Sequence, residues 1–262
     1  MQMQQDPKPR LIIHPLCPTS KSLLLDLYSN SYLDRVDYVF LDDPRYLDKV
    51  EAFPWAVPML IINDNGPVAM DPLDYDELYA IIEDSYDREI NDEDQFKISI
   101  LYSSYASSIS LLYGGVEPLI SESFLYPALR IKIRDVDYDE TVRNLKSKAT
   151  SIYNSFKEKI ARALAITIVR HFYYSGITDP DELEKYSKTS VVNSIIFSLA
   201  SIGRVNLPTP PYKPDMAEYI SEFIARNPKG LLRKIEREHY SIIEDKDYMR
   251  LVEKLKTKQN KE

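Results

Sequence analysis

Four short apolar runs, LIIH at Leu11 to His14, YVFL at Tyr38 to Leu41, MLII at Met59 to Ile62 and PVAM at Pro67 to Met70, all fall early in the chain. Beyond Met70, apolar residues recur mostly at three- and four-residue spacing. Short runs bounded by turn formers fit strands, whereas three- and four-residue recurrence gathers apolar groups on one helix face. This is the pattern of a small sheet followed by helices, an α/β plus all-α fold class.

Pro15 closes the first run, and from Pro18 to Tyr28 Leu23, Leu24 and Leu27 take helical spacing. Thr19 and Ser20 can serve the first turn, and Pro18 is acceptable there because its missing amide would be unpaired anyway. Strand therefore gives way to helix around Cys17. A short helical or irregular piece is expected at Arg45 to Ala52. Asn63-Asp64-Asn65-Gly66 supplies residues that tolerate positive φ, so Met59 to Ile62 and Pro67 to Met70 are read as a hairpin. Asp71 to Glu89, with Leu73, Leu78, Ile81 and Ile82, completes this part as a packed helix.

Asn91 to Asp94 introduces a helix expected to run to Tyr113, where Gly114-Gly115 stops it. Glu117 to Ile133 is expected to be a shorter helix interrupted near Pro127. From Tyr138 to Tyr174 the residues Val142, Leu145, Ala149, Ile152, Phe156, Ile160, Ala163 and Thr167 mark one long amphipathic helix, or two sharing a bend. Asp179 or Asp181 can cap the DELEKY segment, and an apolar helix begins at Ser190-Val191-Val192-Asn193. Leu207 to Pro211 must be an extended connector because its prolines remove donors and restrict their neighbours. Met216 to Arg226 and Gly230 to Ile243 complete the helices. The expected division is a flexible segment at 1–9, a first domain at 10–90, a helical domain at 91–250 and a charged tail at 251–262.

Composition bounds the chemistry. One cysteine forms no internal disulfide and no cysteine-zinc site, and the three histidines, His14, His171 and His239, match no metal spacing. No metal is expected. A net charge of -8 gives no general reason to bind nucleic acid or an anionic membrane. The opening MQMQQDPKPR has no apolar signal core and no run reaches membrane-spanning length, so a cytoplasmic protein without transmembrane association is the default expectation.

This order of elements resembles the glutathione transferase fold, a thioredoxin-like domain over residues 10 to 90 followed by a helical domain. The features that carry the resemblance are Cys17 at the first helix, Val57-Pro58 before the third strand and the Asn63 to Gly66 hairpin. Ser190 and Asn193 resemble that family's helix-capping box, with asparagine where the family has aspartate. The region from Thr189 through Leu207 is also similar to metaxin-type proteins, a branch of the same fold implicated in membrane-protein assembly.

The resemblance implies a cleft in which the Cys17 sulfur lies beside the backbone of Pro58, a proline that is usually cis in the superfamily. Unpaired amides and the positive end of a helix favour a thiolate, with Pro18, Thr19 and Ser20 as the supporting turn. Ser20 stands where a dithiol oxidoreductase has its second cysteine, and serine cannot resolve a mixed disulfide. Met70-Asp71-Pro72 stands where the family presents an acidic residue followed by serine to the γ-glutamyl end of glutathione. Asp71 can supply one anionic contact, but the serine is missing.

Two functions follow as expectations. One is a thiol protein, a monothiol oxidoreductase or transferase-like enzyme, with Cys17 as nucleophile, Val57, Pro58 and Asp71 as recognition groups, and glutathione or another low-molecular-weight thiol as ligand. The other is a non-catalytic interaction scaffold or assembly factor, with a protein partner or a homodimer left open.

Overall fold

The structure, a computed structural model, describes residues 8–45, 52–62, 66–203 and 216–259. Residues 46–51 of the expected Arg45 to Ala52 piece, the Asn63 to Asn65 part of the turn, the Leu207 to Pro211 connector and most of the 1–9 segment lie outside the described residues. Strands β1 (Arg10–Ile13), β2 (Asp37–Phe40), β3 (Met59–Ile62) and β4 (Gly66–Met70) form an open mixed sheet in the order β2-β1-β3-β4. β1 and β2 are parallel, and helix α1 (Pro18–Ser29) lies between them in sequence, as a parallel crossover requires. β3 runs antiparallel to β1 and β4 antiparallel to β3. β1 reads as an unbroken apolar run because it is central, with Leu11, Ile12 and Ile13 all buried.

The rest is mainly helical. Among the described residues there are ten further α-helices: α2 (Tyr75–Ile82), α3 (Asp92–Tyr102), α4 (Ser104–Tyr113), α5 (Glu122–Leu129), α6 (Tyr138–Tyr174), α7 (Pro180–Tyr186), α8 (Thr189–Gly203), α9 (Ala217–Arg226), α10 (Pro228–Ile243) and α11 (Lys246–Gln259). None of them is long and apolar enough to cross a membrane. α6 is a single element that buries Leu145, Ala149, Ile152, Phe156, Ile160, Leu164 and Ile168 along one stripe. Short polar residues start several helices: Asp74 accepts from the Glu77 amide, Asn91 from Asp94, Asp137 from Glu140, and Asp179 from both Asp181 and Glu182.

The chain divides into two compact units. One comprises Met1–Ile90, Tyr126–Val136 and Ile242–Glu262, and the other Asn91–Leu125 and Asp137–Ser241. In the first unit the sheet is joined by the short Ile131–Ile133 turn and by α11, which packs on the edge strand β2.

Several details differ from the sequence reading. The packed helix expected over Asp71 to Glu89 is confined to Tyr75–Ile82, opened by Asp74. The helix expected from Asn91 to Tyr113 breaks at Ser103, whose backbone is extended (φ -105°, ψ 109°) and whose hydroxyl accepts from the Ala106 amide to start α4. The stretch read as a charged tail is helical to Gln259, with Leu251, Val252 and Leu255 buried beneath its lysines. Ser190 does not cap a helix. α8 already begins at Thr189, so Ser190 lies within the first turn with its side chain exposed, while Asn193 Oδ1 is buried without a partner among the described residues. Ser190→Ala is therefore expected to change stability by less than about 0.5 kcal/mol, whereas Asp179→Ala at the start of α7 should cost about 1 kcal/mol. Chemical denaturation of the two variants checks the contrast.

Candidate functional site

The candidate site lies wholly in the first unit, where β1 hands over to α1. The Cys17 amide closes a turn onto the His14 carbonyl at 2.9 Å, and the Cys17 carbonyl accepts from the Lys21 amide at 2.9 Å, which opens the helix. Cys17 is therefore the residue immediately before α1, with extended backbone (φ -89°, ψ 123°) and Pro18 in the first turn. It is half-buried and in no disulfide. Its thiol points to the Val57 carbonyl at 3.5 Å, a weak S–H donor on a backbone acceptor. The Val57–Pro58 peptide bond is cis, as is Asp71–Pro72.

The Asp71 amide donates to the Pro58 carbonyl at 2.8 Å, so the end of β4 is fixed beside the Val57-Pro58 segment. From there the Asp71 carboxylate reaches α1, accepting from the Thr19 hydroxyl on Oδ2 at 3.4 Å. Only 5% of Asp71 is exposed, and its Oδ1 has no hydrogen-bond partner among the described residues. Loss of water around a carboxylate penalises the charged form. Burial accordingly pushes the Asp71 carboxyl up to about 7, against the opposing pull of the Thr19 hydroxyl, the Leu73 amide and the Arg130 charge.

Cys17, Pro18, Thr19, Ser20, Val57, Pro58 and Asp71 thus form one neighbourhood, while Ser190 and Asn193 belong to the other unit. Within it Ser20 faces inward: it is fully buried and its hydroxyl accepts from the His14 amide at 3.4 Å. His14 is part of the frame, its Nδ1 accepting from the Leu16 amide at 3.1 Å. Burial, outweighing the nearby Asp42, lowers its pKa. Trp55 is buried in an edge-on contact with Phe53, so it serves packing. Among the described residues no group of three or more histidine, cysteine, aspartate or glutamate side chains is placed to hold a metal.

Two supports of the site escape sequence reading. Arg130, only 1% exposed and at a left-handed backbone position (φ 57°), spends all five guanidinium N–H groups. It donates to Glu77 Oε1 at 2.7 Å and Oε2 at 3.1 Å, and to the carbonyls of Pro127, Ala128 and Pro72. The Pro72 bond fixes the residue next to Asp71. The second support is Tyr248 of α11, fully buried, whose hydroxyl donates to the Pro15 carbonyl at 2.9 Å. A lone arginine within the apolar stretch SFLYPALRIKI was the one signal available for Arg130. No protein-family model, curated protein or solved structure matches the chain.

Chemically, the arrangement offers a half-buried thiol at a helix start, a backbone carbonyl beside it, first-turn amides of Thr19 and Ser20 with no partner among the described residues, and a carboxyl that titrates near neutrality.

Proposed function

We propose that the chain is a thiol protein of the thioredoxin-like, glutathione transferase-like fold, which binds a small thiol or a cysteine-containing peptide and carries out one-cysteine exchange through Cys17. The fold reading draws support from the strand order β2-β1-β3-β4, with α1 between the parallel pair, followed by helices. The observation that carries the function is the contact of Cys17 Sγ with the Val57 carbonyl, one turn from the Thr19 to Asp71 bond. In the reaction the Cys17 thiolate attacks one sulfur of a disulfide RS–SR, forming Cys17–S–S–R and releasing RS⁻. A second thiolate then attacks the R sulfur and returns Cys17 as thiolate, so no resolving cysteine is needed and Ser20 is no obstacle. Asp71 takes the acidic contact to the ligand. Because proline rather than serine follows it, glutathione stands beside other low-molecular-weight thiols as the ligand.

The test is intact-mass measurement after incubation with glutathione disulfide. The expected result is a single adduct on the native protein, released by dithiothreitol and lost in Cys17→Ser. A folded protein left unmodified while free cysteine reacts in the same mixture would sink the reading. A non-catalytic scaffold is the second reading, favoured by Ser20, whose hydroxyl serves the His14 amide instead of a ligand. It gains if a partner captured by the native protein is held equally by Cys17→Ala.

A further inference from the structure

Helix α11 returns from far along the chain to the Cys17 end of α1. Lys21 lies one helical turn beyond Cys17 and on the same face, since its amide bonds the Cys17 carbonyl. Its ammonium pairs with Asp245 at 2.7 Å and lies 5.5 Å above the centre of the Tyr248 ring. Asp245 also starts α11, accepting from the Tyr248 amide at 3.0 Å. The Tyr248 hydroxyl ends on Pro15, two residues before Cys17, and its pKa is raised by burial first and then by the nearby Cys17 sulfur. Further along, Lys256 pairs with Asp42 at 2.7 Å and covers the Phe40 ring. A second feature marks the same turn as a place for a ligand: Asp71, 5% exposed, directs one oxygen to Thr19 and leaves the other without a partner among the described residues.

We propose that α11 is a strap across the Cys17 end of α1, fastened by Tyr248 and the Lys21–Asp245 pair, and that it restricts Cys17 to low-molecular-weight disulfides while excluding cysteines carried on folded proteins. This rests on the thiol reading above and chooses between the two partner classes left open there. The contacts define the selection. Tyr248 and Lys21 fill the flank of the helix start, where a protein-borne disulfide would need room for its own backbone, while a small disulfide needs only the Cys17 sulfur and the Val57 carbonyl. The ion pair is partly exposed and so is the weaker of the two fastenings, whereas Tyr248 is fully buried.

The experiment compares two Cys17 reagents, iodoacetamide and a polyethylene-glycol maleimide, on the native protein, Asp245→Asn and Tyr248→Phe. Asparagine keeps the helix start and removes the charge, and phenylalanine keeps the ring and removes the bond to Pro15. The bulky reagent is expected to react about fivefold faster in each variant, with the iodoacetamide rate changed less than about twofold. An unchanged bulky-reagent rate in both variants overturns the strap, and so does an equal rise with both reagents, which would signal general loosening. Should Tyr248→Phe fold poorly, Asp245→Asn at its half-exposed site decides alone. Alkylation reads the strap whether or not glutathione disulfide forms an adduct, so the two proposals fail separately.

Discussion

Arg130→Met is expected to destabilise the first unit by about 3–5 kcal/mol, the cost of leaving a buried charge without its partner. Methionine preserves much of the volume but none of the five donors. Glu77, itself 5% exposed, would retain a desolvated carboxylate, and the carbonyls of Pro72, Pro127 and Ala128 would lose their donors. The double variant Arg130→Met with Glu77→Leu should recover a large part of the loss, because two apolar side chains remove the orphaned charge. Urea denaturation of the native protein, the single and the double variant closes the cycle. A single-variant loss below about 1 kcal/mol would mean that the pair behaves like a surface contact despite its burial.

The second large effect is a pH dependence set by Asp71. In the unfolded chain the carboxyl ionises near 3.8, while burial in the folded protein holds it protonated to about 7. Below pH 4 both states carry the proton and the folded state has its full advantage. As pH rises from about 4 to about 7 the unfolded state loses the proton first, so stability falls through that window and then levels off. The fall amounts to on the order of 4 kcal/mol. Asp71→Asn should abolish this component and be more stable than the native protein at pH 8, judged by the difference between their denaturation midpoints across pH. If the two proteins keep a constant difference from pH 4 to 8, Asp71 is already ionised when folded. Carboxylates held low by partners, such as Asp245 beside Lys21, act in the opposite direction and at lower pH. Comparing the two proteins removes them.

Legibility in the sequence followed the range of the interactions involved. The four strands and the long helix at Tyr138–Tyr174 are written in local periodicity; the structure has the helix and the Met59–Ile62 strand with the same ends, and the other three strands with one or both ends shifted by one residue. The break at Ser103 is hidden because serine and small apolar residues continue on both sides of it. Ser190 misleads for a related reason, since a serine with a polar residue three positions on matches a cap whether the helix starts after it or one residue before. Cys17, Thr19, Val57 and Asp71 stand at strand junctions, but it was the resemblance to the transferase fold that singled them out, and the structure brings them into one neighbourhood. Arg130 and Tyr248 were not singled out, because their partners lie 53 and 233 residues away and no local pattern announces such pairs.

The return of α11 to the sheet also bears on synthesis. A growing chain emerges from the ribosome N-terminus first, and domains usually fold as they appear. Here β2 remains an edge with one open side, and the Cys17 turn lacks Tyr248, until residues 246–259 have left the tunnel. A nascent chain stalled before α11 would therefore hold the Cys17 turn without its Tyr248 contact, beside a strand edge that α11 has not yet covered.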